Sequence, residues 1–430
     1  MEFLPNLIFA ILLFTGIGFF ARNISKLKRN IDLGKDVDTS DQTKIRWKNM
    51  ARIALGQSKM VRRPIAGILH IVVYVGFVVI NIEVLEIIID GLFGTHRIFS
   101  GIGSLYGVLI GTFEILAALV FIAVIIFWFR RNVVKIQRFM KSEMKGWPKL
   151  DGNLILYFEI ILMGLFIIMN ATDVEFQSTN SGNIISHFFA PMFEGYNVQL
   201  IERVAWWMHI VGILVFLNYL YYSKHLHILL AFPNTYYGSV KPKGYFNNLE
   251  AVTNEVKLMM DPNIDPFAAT EEAASVPDKF GASDVQDLNW VQLLNAYTCT
   301  ECGRCTSECP ANQTGKKLSP RKIMMDTRDR LVEVGNNIDT NKGVFVPDGK
   351  QLLGDYITNE ELWACTSCNA CVEACPISID PLSIILEMRR YLVMEQSAAP
   401  MELNTMMSNI ENNGAPWPYN QMDRLNWKND

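Results

Sequence analysis

CTECGRCTSECP, residues 299–310, holds four of the chain's eight cysteines, and CTSCNACVEACP, residues 365–376, holds the other four. Each run reads C-x2-C-x2-C-x3-C-P. Three closely spaced thiolates can wrap one corner of a 4Fe–4S cube, and a fourth cysteine followed by a chain-turning proline crosses to the other cluster in two-cluster proteins. The spacing therefore assigns Cys299, Cys302, Cys305 and Cys375 to one cube, and Cys365, Cys368, Cys371 and Cys309 to the other. Structural zinc usually draws on two separated ligand pairs. Disulfide frameworks belong to oxidising compartments, whereas thiols confined to such motifs mark a reducing one.

Some 55 residues separate the runs, where a compact β-hairpin arrangement needs only a short turn. Ser319 and Pro320 open a helical pattern in SPRKIMMDTRDRLVEV, and SIILEMRRYLVMEQ after the second run repeats it. DLNWVQLLNAYTC has the same periodicity and delivers Cys299. These features predict an α-helical ferredoxin domain over 285–395. That span resembles the iron–sulfur subunit of heterodisulfide reductases and related subunits of anaerobic glycerol-3-phosphate dehydrogenase. The tail NIENNGAPWPYNQMDRLNW is similar to the segment that follows this module there. The resemblance also implies a cysteine-rich catalytic domain with CC pairs for a non-cubane cluster. No cysteine follows Cys375, so that chemistry is expected on another subunit.

Half of the 430 residues are apolar, and nearly all the long apolar runs precede residue 232. Five segments, near 3–21, 64–90, 104–129, 151–170 and 201–223, meet the requirement of about 20 apolar residues for crossing a bilayer. The first opens Met1-Glu2-Phe3 without a basic stretch, and its positive charge follows in ARNISKLKRN. It reads as an uncleaved anchor. Segments 22–63 and 130–150 are rich in Lys and Arg, whereas 91–103 has only Arg97 and 171–200 has neither. The positive-inside rule then places the N-terminus outside and the cluster module in the cytoplasm, with the chain multi-pass in the cell inner membrane. A net charge of −4 points to no nucleic-acid partner. The expected fold is all-α, a five-helix transmembrane bundle (1–231) followed by a linker (232–284), the ferredoxin domain (285–395) and a tail (396–430). The linker reads as a mostly irregular strap, with Glu271 and Glu272 on a solvated face.

Ionisable residues within a bilayer are costly and default to a functional reading. His70, in GILH, and His227, in YYSKHLHI, lie at matched depth on the second helix and at the end of the fifth. Two such imidazoles can take both axial positions of a haem, with Arg62 and Arg63 pairing the propionates. His225 reads as a surplus interfacial histidine, and His96 and His187 as surface residues of external loops. The layout resembles the cytochrome b subunit of respiratory nitrate reductase, in which a GxxH on helix two and an S-K-x-x-H after helix five hold one haem b. Ser223, Lys224 and His227 match the second motif. His209 matches that family's other fifth-helix ligand, but Ile80 stands where its partner is expected, which leaves a second haem open. Glu83, Glu86 and Asp90 share a face of helix two; Glu83 and Asp90 read as solvated. Glu86, Glu114 and His209 are deeper and suit proton exchange with a quinone.

Together these readings predict the electron-transfer subunit of a membrane-bound respiratory oxidoreductase. It would connect a cytoplasmic redox partner, two 4Fe–4S clusters, haem b and the quinone pool. The resemblance implies a partner with heterodisulfide-reductase-like cysteine domains, or a flavoprotein such as electron-transfer flavoprotein, docking near Trp363, Trp417 and Trp427. A redox sensor or a passive anchor of an iron–sulfur complex are the other classes considered, and no output domain or DNA-binding motif accompanies the former. Anaerobic protein is expected to contain about eight irons beyond haem iron. Stoichiometric zinc with little sulfide would end the two-cube assignment.

Overall fold

The computed structural model describes residues 3–179, 181–242, 244–261 and 279–429. The part of the predicted strap at 262–278, with Glu271 and Glu272, lies outside the described residues. Among those described the regular structure is helical, without strands.

Five helices are long and apolar enough to cross a membrane. They are α1 (Leu4–Ile31), α2 (Pro64–Phe93), α3 (Ser104–Asn132), α4 (Trp147–Thr172) and α5 (Val198–Tyr219). Proline in the first turn of α1, α2 and α4 costs no hydrogen bond there. Gly94, at φ 73°, closes α2 in the left-handed conformation that a side chain disfavours. Phe9, Ile110, Phe113, Phe166 and Ile210 fill the interior, while Leu7, Ile11, Phe14 and many other apolar side chains face outward. An outward apolar surface fits lipid rather than water.

At 1.5 Å per residue, the 28 residues of α1 reach about 42 Å, beyond the ~30 Å of a hydrocarbon core. The overhanging last turns carry Lys26, Lys28, Arg29 and Asn30, and the cluster module docks against them. That module is built on α7 (Trp290–Thr298), α8 (Arg304–Glu308), α9 (Pro320–Thr340), α10 (Ala370–Ala374) and α11 (Pro381–Met394), after α6 (His227–Tyr237). Asn289 caps α7 reciprocally with Gln292, Ser319 caps α9 and Asp380 caps α11. Lys26 pairs with Asp339 at 2.6 Å, Arg29 binds the same carboxylate, and the Asn30 amide donates to the Tyr297 hydroxyl at 2.9 Å. Gly335 of α9 is a point of close approach, where a Cβ would collide with the Asn30 amide. Lys35 and Trp290 pair through their backbones across the same junction, with Trp290 N–H donating to Lys35 O and Lys35 N–H to Leu288 O.

Two expectations are corrected. The fifth membrane helix stops at Tyr219, passes through a turn at Leu220–Tyr222, and breaks at Ser223. His227 therefore begins α6 rather than ending α5. The cause is Asp151 on α4, whose carboxylate accepts hydrogen bonds from Tyr219 Oη (2.6 Å), Ser223 Oγ (2.7 Å) and the Lys224 amide (3.2 Å) and holds the chain in a bend. Within the predicted strap, α6 runs on to Tyr237 and a further helix spans Glu250–Met260.

The fit at Gly335 generates a test. Gly335→Ala is expected to destabilise docking by about 1–3 kcal/mol through overpacking. Asn30→Ala in the same chain should relieve most of that cost, a non-additivity readable by thermal unfolding in detergent.

Candidate metal centres and the histidine pair beside them

The two cysteine runs fold alike because their backbones bend at the same places. Glu301 and Ser367, each third in its run, have φ of 54° and 56°; Gly303 and Asn369, each fifth, have φ of 70° and 60°. Glycine and asparagine tolerate this left-handed conformation best. The bends turn successive thiols inward, and each fifth residue is the N-cap of a short helix, α8 or α10. Those two helices pack together, so each fourth cysteine lies beside the other run. Cys299, Cys302, Cys305 and Cys375 line one cavity with Met324 and Arg321. Cys309, Cys365, Cys368 and Cys371 line a second with Leu318 and Leu382, and Cys371 borders both.

The donor chemistry fits metal clusters. Burial pushes the Cys299 thiol up to about 12 and Cys375 to about 11, and raises Cys371 too. Such groups become thiolates only where bound positive charge stabilises them. Cys299, Cys309, Cys371 and Cys375 are buried, while Cys368 is exposed.

Beside the first quartet lies the histidine pair. Two imidazoles bonded to one metal at about 2 Å place their ring centres roughly 6 Å apart. The His70 and His227 rings are 6.4 Å apart. His227 Nδ1 meets Lys224 O at 3.1 Å, which leaves its Nε2 for a ligand, and His70 Nδ1 is buried without a partner among the described residues. His225, read from the sequence as a surplus interfacial histidine, stacks its ring on His227 with centroids 5.6 Å apart, and its Nδ1 is buried without a partner among the described residues. Arg62 and Arg63, predicted beside the haem edge, are instead engaged with the cluster module. Arg62 pairs with Glu373 at 2.7 Å, and Arg63 with Glu308 at 2.8 Å and Ser307 Oγ at 2.6 Å.

A group the sequence does not single out joins the two regions. Lys224 pairs with Glu301, which also binds Arg328 at 2.7 Å. Burial works to raise the Glu301 carboxyl, but Lys224 and Arg328 outweigh it and hold it below its ordinary range. The loop bearing His227 is thereby locked to the loop bearing Cys299 and Cys302. In the sequence Lys224 stands out only as part of S-K-x-x-H, and nothing local marks its partner 77 residues away.

At the opposite end of the bundle the acids are mostly saturated. Glu86 accepts from the Phe99 amide (2.9 Å) and Tyr106 Oη (3.0 Å). Glu114 accepts from Asn170 Nδ2 (3.0 Å) and the amides of Ile185 (2.7 Å) and Ser186 (3.0 Å). His209 is buried with Nδ1 3.0 Å from Leu162 O. Among the described residues no hydrogen bond or ion pair joins it to Glu86 or Glu114. Glu83, expected to be solvated, is 3% exposed, and its Oε2 has no partner among the described residues. The loop after α2 folds over this face, with Asp90 accepting the amides of Arg97 (2.7 Å) and Ile98 (3.2 Å). Glu159, in mid-α4, is a further buried acid that the sequence reading passes over. His96 lies 3.3 Å from Asp173, and Trp363 is covered by Arg389 at 4.9 Å. Trp417 and Trp427 are exposed tryptophans of the tail.

The quartets and their helices define an iron–sulfur module, and residues 298–379 match the family of 4Fe-4S dicluster domains. The chain is 28% identical over 416 residues to the probable iron-sulfur-binding oxidoreductase FadF of Bacillus subtilis, covering 89% of this chain and 54% of the relative. It is 27% identical over 408 residues to the EtfAB:quinone oxidoreductase of Syntrophomonas wolfei, covering 87% and 52%. Over 108 residues it is 30% identical to a subunit of the ferredoxin:CoB-CoM heterodisulfide reductase of Methanosarcina mazei, 25% of this chain and 52% of the relative. The chain thus spans about half the length of the curated relatives it matches. No solved structure matches it.

The contrast between the acids is testable. Glu114→Ala leaves two buried donors and one half-buried donor unpaired and is expected to cost about 3 kcal/mol. Glu83→Gln should cost far less, since one of its oxygens already lacks a partner. Thermal unfolding of the detergent-solubilised variants compares the two.

Proposed function

We propose that this chain is the electron-transfer subunit of a membrane oxidoreductase that connects a cytoplasmic redox partner with the quinone pool. The observation that carries the reading is the stacking order: the thiol quartet containing Cys375 lies against the end of the bundle that presents His70 and His227. Cys299, Cys302, Cys305 and Cys375 would hold one 4Fe–4S cluster, and Cys365, Cys368, Cys371 and Cys309 the other. His70 and His227 would hold haem b. When bound, these groups supply one-electron steps at fixed positions, and the protein sets their spacing and surroundings. The likeness to the cytochrome b subunit of nitrate reductase supports the haem, as does the 6.4 Å ring spacing.

The basic loops at the module's end of the bundle support a cytoplasmic module and an N-terminus outside the inner membrane. Relatives named as an EtfAB:quinone oxidoreductase and as a heterodisulfide reductase subunit support a flavoprotein or cysteine-domain partner. A quinone in the far half of the bundle would meet His209, with Glu83 as the acid free to carry a proton. Glu86 and Glu114, which the sequence suggests for that role, act instead as anchors for the loops that close this end. The passive-anchor and sensor readings gain no support from a histidine pair placed beside a thiol quartet.

The deciding experiment is anaerobic reduction of purified protein by a quinol analogue, followed optically and by electron paramagnetic resonance (EPR). Reduction of the haem is expected, and a quinone analogue added to protein first reduced by a soluble reductant should reoxidise haem and clusters together; clusters left reduced by the quinone would defeat the reading. His227→Ala and His70→Ala should each abolish the low-spin haem spectrum while the helices still insert. Loss on His225→Ala but not on His227→Ala would reassign the ligand. Cys309→Ser should disturb the cluster of the second run more than that of the first.

A further inference from the structure

The two thiol quartets sit in unequal electrostatic surroundings. Four arginines stand at the quartet nearer the bundle, and two of them are balanced: Arg321 by Glu143 at 2.7 Å and Arg63 by Glu308 at 2.8 Å. The other two are not. Arg304, within the first run and 5% exposed, spends its guanidinium on carbonyls, Lys59 O at 3.1 Å and Met60 O at 3.2 Å, which carry no net charge. Arg138 packs on Gly303, where an added Cβ would lie 3.5 Å from Arg138 Cβ and 2.5 Å from Arg321 Nη1. Among the described residues it has no carboxylate partner, and its Nε is buried without an acceptor. Burial and the neighbouring charge of Arg63 push the Arg138 guanidinium down to about 10, against the pull of Cys302. Glu301, the acid within the first run's opening turn, is already matched by Lys224 and Arg328.

The outer quartet differs. Its cavity is lined by Leu318, Pro320, Leu382 and Ile385 and, among the described residues, by no charged side chain. One cation, Arg389, donates to Leu362 O at 2.6 Å and to Cys365 O. Asp380, two residues before the lining Leu382, brings a carboxylate to this end of the module and accepts the Ser383 amide at 3.0 Å.

Reducing a cluster adds negative charge, so net charge, hydrogen bonds to sulfur and exposure set its potential. Exposure of Cys368 favours reduction of the outer cluster, but water and salt also screen the charges there. Arg138 and Arg304 lie between module and bundle, where screening is weak and two uncompensated charges outweigh one exposed sulfur.

We propose that Arg138 and Arg304 hold the bundle-side cluster at the higher reduction potential of the two, so that electrons delivered at Cys368 run downhill toward His70 and His227. The inference rests on the reading that each quartet binds a 4Fe–4S cluster. The exchange is a one-electron transfer in which the outer cluster is oxidised as the inner is reduced. The reduced cytoplasmic partner supplies the electron, quinone is the terminal acceptor, and no bond or proton moves between the clusters.

The test is an anaerobic redox titration of the full chain in detergent, followed by EPR. A soluble dysprosium chelate marks the exposed cluster by speeding its relaxation. Iron and sulfide analysis first establishes two clusters; protein with fewer would overturn both this proposal and the reading beneath it. With two present, the chelate-insensitive cluster should titrate at the higher potential. Arg138→Gln should lower that cluster alone, changing its reduced-to-oxidised ratio about tenfold, or 59 mV for one electron. Arg138→Lys, which keeps the charge, should restore it. Arg304 is left in place because its removal would also free two loop carbonyls. A higher potential for the chelate-sensitive cluster would overturn the proposal. So would a shift confined to the haem, which would make Arg138 a propionate partner, or a change only in retained anionic lipid.

Discussion

Neither cysteine run can complete its own quartet. Cys309 stands with Cys365, Cys368 and Cys371, and Cys375 with Cys299, Cys302 and Cys305, so each site requires that the other be folded. This reciprocity requires the chain to leave one run and return beside it, and here some 55 residues, with the long α9 and the turn-rich segment after it, are the path taken. It also sets the packing of α8 against α10, two short helices that have too few residues to be stable alone. The matching positive-φ residues in both runs are what allow two short stretches of chain to present four sulfurs each.

From that centre the structure is held to the bundle by contacts of different kinds. The end of α1 offers charge and an amide to Asp339 and Tyr297. The Ser223–His227 bend offers Lys224 to Glu301, and the loop before α2 offers carbonyls to Arg304. These contacts come from three separate segments, so the module is fixed in orientation as well as in distance. Buried ion pairs of the Lys224–Glu301 type contribute little net stability, because desolvation offsets attraction, yet breaking one partner is costly. Their value here is in fixing geometry.

The cysteine spacing and the five apolar stretches were legible because each signal is local: a ligand motif lies within twelve residues and a membrane span within thirty. His70 and His227 do lie side by side, with ring centres 6.4 Å apart, although a depth count along the fifth helix runs through the break at Ser223. What escaped was every feature whose cause lies in a distant segment. Glu114 looks chemically active on a membrane helix until the Ile185–Ser186 amides fold over it. Glu83 looks solvated until the loop after α2 closes above it. Arg62 and Arg63 read as haem-edge groups because the carboxylates they pair with, Glu373 and Glu308, lie more than 240 residues away. The break at Ser223 was hidden because the hydropathy continues through it, and only Asp151 on another helix imposes the bend.

The overhang of α1 bears on how the halves of this chain are joined. A carrier tethered by a loose strap must find its docking position at each turnover, and the strap's length then governs how often it succeeds. Here the overhanging turns, the Lys224 bend and the Arg304 loop already specify one position. The covalent link raises local concentration but is not needed as a guide. The same contacts would define one docking position between two separate polypeptides, one spanning the lipid and one carrying the thiols, but without the concentration gain of the link. Fusion of these halves therefore supplies concentration, while the interface itself supplies the geometry that holds the thiol module at a membrane surface.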